Sequence, residues 1–152
     1  MHLLAERIIL EGLHKLGIVH GDIDEMQKGR IGYIFMPHGL GHLIGLEVHD
    51  VGGYLKNTPQ RTQKPGLKNL RTSRIMEENT FITVEPGCYF RDFLFEGQFE
   101  SQLDVADPSK YVNIELIKEY QKEINGVRIE DVILITKDGN ENLSKDLPRT
   151  VE

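Results

Sequence analysis

The chain has little of what would place it in several large protein classes. A single cysteine among 152 residues, Cys88, excludes an internal disulfide framework and is typical of a reducing compartment. No apolar run approaches the roughly 20 residues of a membrane-spanning helix, and the charges near the start do not match a signal peptide. Basic clusters are missing, and the net charge of −6 disfavours nucleic acid and anionic membranes. We therefore predict a cytoplasmic protein with neither nucleic acid nor membrane as a partner.

The composition that remains is that of one globular domain with a core. Hydrophobic residues make up 39% of the chain and charged residues 28%, which is ordinary for a globular protein. Helical and strand-like periodicities alternate, which predicts an α+β fold of antiparallel strands with flanking helices. The predicted helices cover 2–16, 22–28 and 109–124, the strands cover 31–36, 80–85, 88–90 and 127–136, and irregular segments cover 54–74 and 93–108.

One segment is rich in both histidine and glycine. His38, His42 and His49 fall within twelve residues, in a run from 36 to 53 that also holds five glycines. Histidine is a common metal ligand that titrates near neutral pH, and glycine lets the backbone approach a bound group closely. A polar turn with incidental histidines is the alternative. The pattern favours an active site, with His42 as the better metal ligand and the other two free for proton transfer or oxyanion stabilisation.

Two glutamates stand alone in strand-like runs further along the chain. Glu85 precedes a Pro-Gly turn, and strand alternation places Glu130 on one face with Arg128. Buried carboxylates are costly unless they are paired or bound to metal. Each glutamate alone is better explained as an exposed residue or as the partner of Arg128 in an ion pair. Both together, beside the histidines, favour a metal site, and one imidazole with two carboxylates suits Mn²⁺, Co²⁺ or Zn²⁺.

Four segments in this order resemble the pita-bread metallopeptidases, and within them the C-terminal catalytic domain of the prolidase (Xaa-Pro dipeptidase) branch. They are FMPHGLGHLIGLEVHDVGG at 35–53, PGL and LRTSR between 65 and 74, TVEPG at 83–87 and VRIED at 127–131. The tail PRTVE at 148–152 is also similar. The resemblance spans nearly the whole chain and implies a pita-bread fold with a curved antiparallel sheet.

The resemblance also implies a dinuclear metal site. Family members hold two divalent ions, typically manganese or cobalt, with two aspartates, one histidine and two glutamates. That histidine matches His42, and the two glutamates match Glu85 and Glu130. The resemblance implies that His38 contacts the substrate near the scissile carbonyl, that His49 stabilises the tetrahedral intermediate or moves a proton, and that Glu85 accepts a proton from the nucleophile.

Two arginines match substrate-binding positions of the family. Arg71 matches an arginine that holds the C-terminal carboxylate of the substrate, and a planar guanidinium suits two-point recognition of a carboxylate. Arg128 is implied to lie near Glu130 and the substrate. The implied activity is hydrolysis of Xaa-Pro dipeptides by a metal-bridged hydroxide. Cleavage of longer peptides by an aminopeptidase P-type enzyme, and a non-catalytic peptide-binding or interaction module, are the alternatives.

The family's two aspartate ligands have no counterpart in these 152 residues. The pattern is therefore typical of a partial pita-bread domain over residues 1–152. We expect such a chain on its own to bind one ion or none and to be weakly active or inactive. Open sheet edges are expected to favour a homodimer or other self-association.

Overall fold

The computed structural model describes residues 1–64, 66–92, 103–105 and 107–150. Most of the predicted irregular insertion at 93–108, Pro65 of the proline-glycine motif and the last two residues of the tail lie outside these ranges. The described part has four α-helices and five β-strands: α1 (His2–Lys15), α2 (Ile23–Lys28), α3 (Gly32–Phe35), β1 (Phe81–Val84), β2 (Gly87–Tyr89), α4 (Ile114–Glu123), β3 (Gly126–Arg128), β4 (Asp131–Thr136) and β5 (Gly139–Asn142). Two short 3₁₀ turns cover Leu67–Asn69 and Pro108–Tyr111. The strands pair antiparallel, as predicted for the α+β class.

Helix α1 forms where its periodicity predicts, but its buried face differs from its most apolar one. The buried residues are His2, Glu6, Leu10 and Leu13, whereas Leu4 is 60% exposed. Glu6 can be buried because its carboxylate accepts two hydrogen bonds from the buried guanidinium of Arg30 (2.6 Å for Nη2). Its Oε1 also lies 3.0 Å from His2 Nε2. An ion pair of this kind satisfies a carboxylate that would otherwise be costly to bury.

The prediction of a strand at 31–36 is wrong, because this segment contains α3. All four residues of α3 are buried, and the Met36 N–H bonds the Gly32 carbonyl oxygen at 2.9 Å. A short run that is apolar on every side has no periodicity by which a buried strand and a buried helical turn can be told apart. Helix α2 follows its prediction, since the Asp22 side chain caps it by accepting from Glu25 N.

The predicted strand at 127–136 is interrupted at Ile129–Glu130. Strand β3 pairs with β2, whereas β4 lies between β1 and β5 in a three-stranded sheet. The same register runs through both ladders, because Val84 pairs with Asp131 on one side of the gap and Gly87 pairs with Arg128 on the other. The strand that contains β1 and β2 and the strand that contains β3 and β4 are therefore interrupted at directly opposite positions of one antiparallel ribbon.

Helix α4 starts later than the 109 predicted from its periodicity. The Asn113 side chain caps it by accepting from Leu116 N, and the preceding residues form the 3₁₀ turn instead. Ile117 of α4 is fully buried in a core that it shares with α1, α2 and α3. Among the described residues, none of the helices combines the length and apolar character that crossing a bilayer would need.

Candidate metal centre and substrate pocket

Three of the predicted ligands lie together at the interruption of the ribbon. One ligand atom each from His42, Glu85 and Glu130 lies within 4.8 Å of the other two. The side chain of His42 is buried, Glu85 is 9% exposed and Glu130 is exposed. Residues that are 43 and 45 positions apart in the sequence thus form one cluster, open to solvent on the Glu130 side.

The orientation of the His42 ring leaves a lone pair facing a carboxylate. Its Nδ1 lies 3.0 Å from the Leu43 carbonyl oxygen, which can only accept, so Nδ1 carries the proton. Its Nε2 lies 3.4 Å from Glu85 Oε1. Two electron-pair donors that face each other at this distance require a cation or a proton between them. A metal-binding histidine commonly donates its other N–H to an oxygen in this way.

The carboxylates of the two glutamates also face each other. The register on either side of the gap places Glu85 directly opposite Glu130. Like charges at directly opposed positions of a sheet repel each other and destabilise it. A divalent cation removes that repulsion, and imidazole with carboxylates is a donor set that Mn²⁺, Co²⁺ and Zn²⁺ accept. The described residues therefore fit a divalent ion at this point.

Thr83 aligns two of the three predicted ligands. Its buried hydroxyl accepts from the backbone N–H of His42 at 2.9 Å and donates to Glu85 Oε1 at 3.0 Å. The histidine segment also pairs with β1 through its backbone, because the Thr83 N–H bonds the His42 carbonyl at 2.9 Å and the Glu85 N–H bonds the Leu40 carbonyl at 2.7 Å. Alternation along an extended segment places Thr83 and Glu85 on one face, which agrees with these contacts.

A hydrogen-bonded chain joins Arg128 to His38 through Tyr89. Arg128 Nε donates to the Tyr89 phenol oxygen at 2.6 Å, and that phenol lies 3.2 Å from His38 Nε2. His38 Nδ1 donates to the Gly39 carbonyl at 2.8 Å, so Nε2 accepts the phenol proton. Arg128 Nη1 also lies 3.5 Å from Glu85 Oε2. The ion pair considered from sequence is thus present, beside the metal cluster.

Burial, and to a smaller extent the positive charge of Arg128, lowers the pKa of His38 below its usual 6.5. His38 is therefore neutral near neutral pH and keeps an Nε2 lone pair for a donor. His49 is exposed, and its ring contacts His42 edge to face with 4.4 Å between centroids. Neither residue belongs to the metal cluster of the described residues.

Tyr89 was not among the functional residues predicted from the sequence. Its ring folds back over Gly87, where a Cβ atom would lie 2.3 Å from the phenol oxygen. Gly87 is also the cross-strand partner of Arg128. The signal that could have indicated Tyr89 is a glycine paired with an arginine on the opposite strand and followed two positions later by an aromatic residue. Only a residue without a side chain leaves room for that ring.

An open cavity of about 930 Å³ has Glu85 of the cluster in its lining, but not His42 or Glu130. Residues of the histidine segment and of the irregular segment that follows it contribute to the lining. The lining includes all the predicted catalytic and substrate-binding residues, namely His38, His49, Arg71, Glu85 and Arg128. Cys88 is not among the lining residues, and burial raises the pKa of its thiol to about 11, which leaves no thiolate for catalysis.

Comparisons with known proteins agree with this arrangement. Residues 3–137 match metallopeptidase family M24. A Xaa-Pro dipeptidase from Rattus norvegicus is 44% identical, with 100% of this chain and 30% of the relative covered. A probable Xaa-Pro aminopeptidase from Colletotrichum graminicola is 42% identical, with 95% of this chain and 30% of the relative covered.

The fold is also that of a solved relative. The structure of aminopeptidase P from E. coli with the inhibitor Pro-Leu matches with a TM-score of 0.59 and 34% identity, over 95% of this chain and 25% of that one. The pita-bread fold expected from the resemblance is thereby confirmed. The chain spans about 30% of the length of the curated relatives that it matches.

Proposed function

The chain belongs to metallopeptidase family M24, and we propose that it carries metal-binding and substrate-binding residues of an Xaa-Pro dipeptidase. The observation that supports this most is the cluster of His42, Glu85 and Glu130, whose Glu85 lines the same cavity as Arg71. In this proposal the three clustered residues are metal ligands. Mn²⁺ is the preferred ion, with Co²⁺ and Zn²⁺ as alternatives, and the intact site holds two ions.

A divalent cation bound there would supply a hydroxide at neutral pH and would polarise the scissile carbonyl. The other steps belong to side chains of this chain. Glu85 accepts a proton from the nucleophile through Oε2, the oxygen that Thr83 leaves free. His38 contacts the substrate beside the scissile carbonyl, and the exposed His49 delivers a proton to the proline nitrogen as it leaves.

Arg71 distinguishes a dipeptidase from an aminopeptidase in this proposal. Arg71 lines the cavity, where its guanidinium can hold a carboxylate in two-point fashion. Carboxylate capture at a fixed distance from the scissile bond limits the substrate to a dipeptide, whereas an aminopeptidase P accepts longer chains. Arg128 also lines the cavity, and its contacts with Tyr89 and Glu85 hold it beside the substrate.

The proposed function is tested with the complete gene product and Mn²⁺. We expect hydrolysis of Gly-Pro, little hydrolysis of Gly-Pro-Gly, and loss of both on chelation. Preferential cleavage of the tripeptide would favour the aminopeptidase alternative. Stoichiometric binding of proline peptides without cleavage would favour the non-catalytic module.

Replacement of Arg71 by methionine is expected to raise KM for Gly-Pro between about tenfold and hundredfold, because one charge-assisted, two-point contact is lost. The kcat value is expected to change less, since the contact lies away from the reacting atoms. Steady-state kinetics over a range of Gly-Pro concentrations measures both. An unchanged KM would remove Arg71 from the site.

Replacement of Tyr89 by phenylalanine is expected to lower kcat/KM for Gly-Pro about tenfold, since both Arg128 and His38 lose a hydrogen-bond partner. The matched control is Tyr111→Phe, because the Tyr111 ring packs beside Gly21, remote from the cavity. Equal activities of the two variants would show that the hydrogen-bonded chain has no part in the reaction.

The 152-residue chain alone is proposed to bind at most one divalent ion, since its described residues bring three candidate ligands together, and to hydrolyse dipeptides poorly. Its cytoplasmic location and its homodimerisation or self-association through strand edges are likewise proposals. Sedimentation velocity tests the association.

A further inference from the structure

The position of Arg71 is set by its backbone. Arg71 lines the cavity, and its guanidinium forms no hydrogen bond or ion pair with the described residues. The side chain is exposed and has several rotatable bonds, so the direction in which it leaves the backbone decides where a carboxylate can be held. The contacts that fix this direction lie in the irregular segment between 54 and 74.

Two side chains from the start of that segment hold the peptide bond in front of Arg71. Tyr54 Oη donates to the Leu70 carbonyl oxygen at 3.0 Å, and Arg61 Nη1 donates to the same oxygen at 2.5 Å. Arg61 Nη1 also donates to the Lys68 carbonyl at 2.9 Å. Because the Leu70 carbonyl belongs to the peptide bond that joins Leu70 to Arg71, these bonds fix the plane from which Arg71 projects.

The two donors also hold each other. The Arg61 guanidinium carbon lies 3.9 Å from the centroid of the Tyr54 ring, a cation–π contact. A planar guanidinium stacks on an aromatic face and still presents N–H groups at its edge, which an ammonium group cannot do. Tyr54 therefore aligns Arg61 as well as contributing its own hydrogen bond.

Glycines of the histidine segment pack against the same turn. A Cβ atom at Gly52 would lie 1.7 Å from the Arg71 carbonyl oxygen, and one at Gly39 would lie 3.3 Å from the Leu70 Cα. The Leu70–Arg71 backbone thus lies against both ends of the segment that carries His38, His42 and His49. Any displacement of this turn changes the distance between Arg71 and the catalytic histidines.

We infer that Arg61, stacked on Tyr54, is a positioning residue for Arg71 and thereby sets the preference of the site for peptides that end in a free carboxylate. The inference rests on the proposed dipeptidase function. It adds to that function a specificity element: Tyr54 and Arg61, which also line the cavity, hold the turn that carries Arg71.

The test compares kcat/KM for Gly-Pro with kcat/KM for Gly-prolinamide, in the complete gene product with Mn²⁺. Wild-type protein is expected to prefer the free acid. Arg61→Ala is expected to reduce this preference between about tenfold and hundredfold, as expected for misplacement of a binding group by about 1 Å. Arg61→Lys keeps the charge but not the stacked fork, so it is expected to restore little of the preference.

Two further variants separate positioning from folding. Tyr54→Phe removes one hydrogen bond but keeps the ring, and is expected to reduce the preference by a smaller factor than Arg61→Ala. Lys64→Ala removes a positive charge from the same segment at an exposed residue outside the cavity lining, and is expected to leave the preference unchanged. Thermal unfolding of each variant reports on its fold.

The outcomes are distinguishable. A wild-type protein that cleaves neither substrate, or both equally, contradicts the dipeptidase function and this inference with it. A wild-type preference that persists in Arg61→Ala contradicts the positioning role alone. Parallel loss of activity on both substrates in Arg61→Ala and Tyr54→Phe also contradicts it, because a purely structural role lowers both activities equally.

Discussion

Exchange of His42 for asparagine is expected to weaken Mn²⁺ binding by the complete gene product by more than about a hundredfold. Loss of a partner that only orients a ligand already costs about tenfold to hundredfold in metal affinity, and His42 is proposed as a ligand itself. Asparagine keeps a polar group of smaller reach in the buried position but has no nitrogen lone pair to offer. Isothermal titration of the metal-free protein with Mn²⁺ measures the change.

The matched control for His42 is His14→Asn. His14 is exposed near the end of α1 and takes no part in the cluster. It is expected to leave Mn²⁺ affinity at the wild-type value. An Mn²⁺ affinity that is the same in His42→Asn, His14→Asn and wild type would mean that the ion lies elsewhere, and the peptidase interpretation would lose its main support.

Residue types and the family were accessible from the sequence, because histidines among glycines and lone glutamates in apolar strands are uncommon. The reason why Glu85 and Glu130 lie close together was not accessible from the sequence. Alternation along one continuous strand put Glu130 beside Arg128, whereas the structure interrupts both chains of the ribbon at the same level. An interruption shared by two strands depends on their pairing, which no single segment encodes.

The wrong assignments have a common physical origin in burial. Helix α3 is apolar on every side, so its period is invisible, and α1 buries Glu6 because Arg30 arrives from 24 positions away to pair with it. The contacts of Tyr54 and Arg61 with the Leu70 carbonyl lie within one irregular segment, but they join residues 16 and 9 positions apart that follow no periodicity. Propensity and spacing describe a segment, whereas these features depend on the partner that the segment meets.

Replacement of Gly41 by alanine is expected to lower the free energy of unfolding by about 2–4 kcal/mol and to weaken Mn²⁺ binding at the same time. A Cβ atom at Gly41 would lie 1.8 Å from the Thr83 carbonyl oxygen and 2.8 Å from its carbon. These are backbone atoms of β1, so they cannot move aside as the end of a flexible side chain would. The histidine segment must therefore shift away from β1.

That shift links stability to the metal site, because the hydrogen bonds on both sides of Gly41 tie the segment to β1. The Leu40 and His42 carbonyls accept from Glu85 and Thr83, so a segment that moves away carries His42 away from Glu85. Urea unfolding measures the first effect, and titration with Mn²⁺ measures the second.

The matched control is Gly12→Ala, at a position in α1 where a Cβ atom would meet nothing within 4 Å. It is expected to stabilise the protein by about 0.5–1 kcal/mol, because alanine loses less backbone entropy than glycine in a helix. If the same glycine-to-alanine change lowers the free energy of unfolding at position 41 and raises it at position 12, the close approach of Gly41 to Thr83 is the cause of the destabilisation. If Gly41→Ala were as stable as wild type and bound Mn²⁺ equally well, the histidine segment could not pack on β1 as described. The alignment of His42 with Glu85 would then need another explanation.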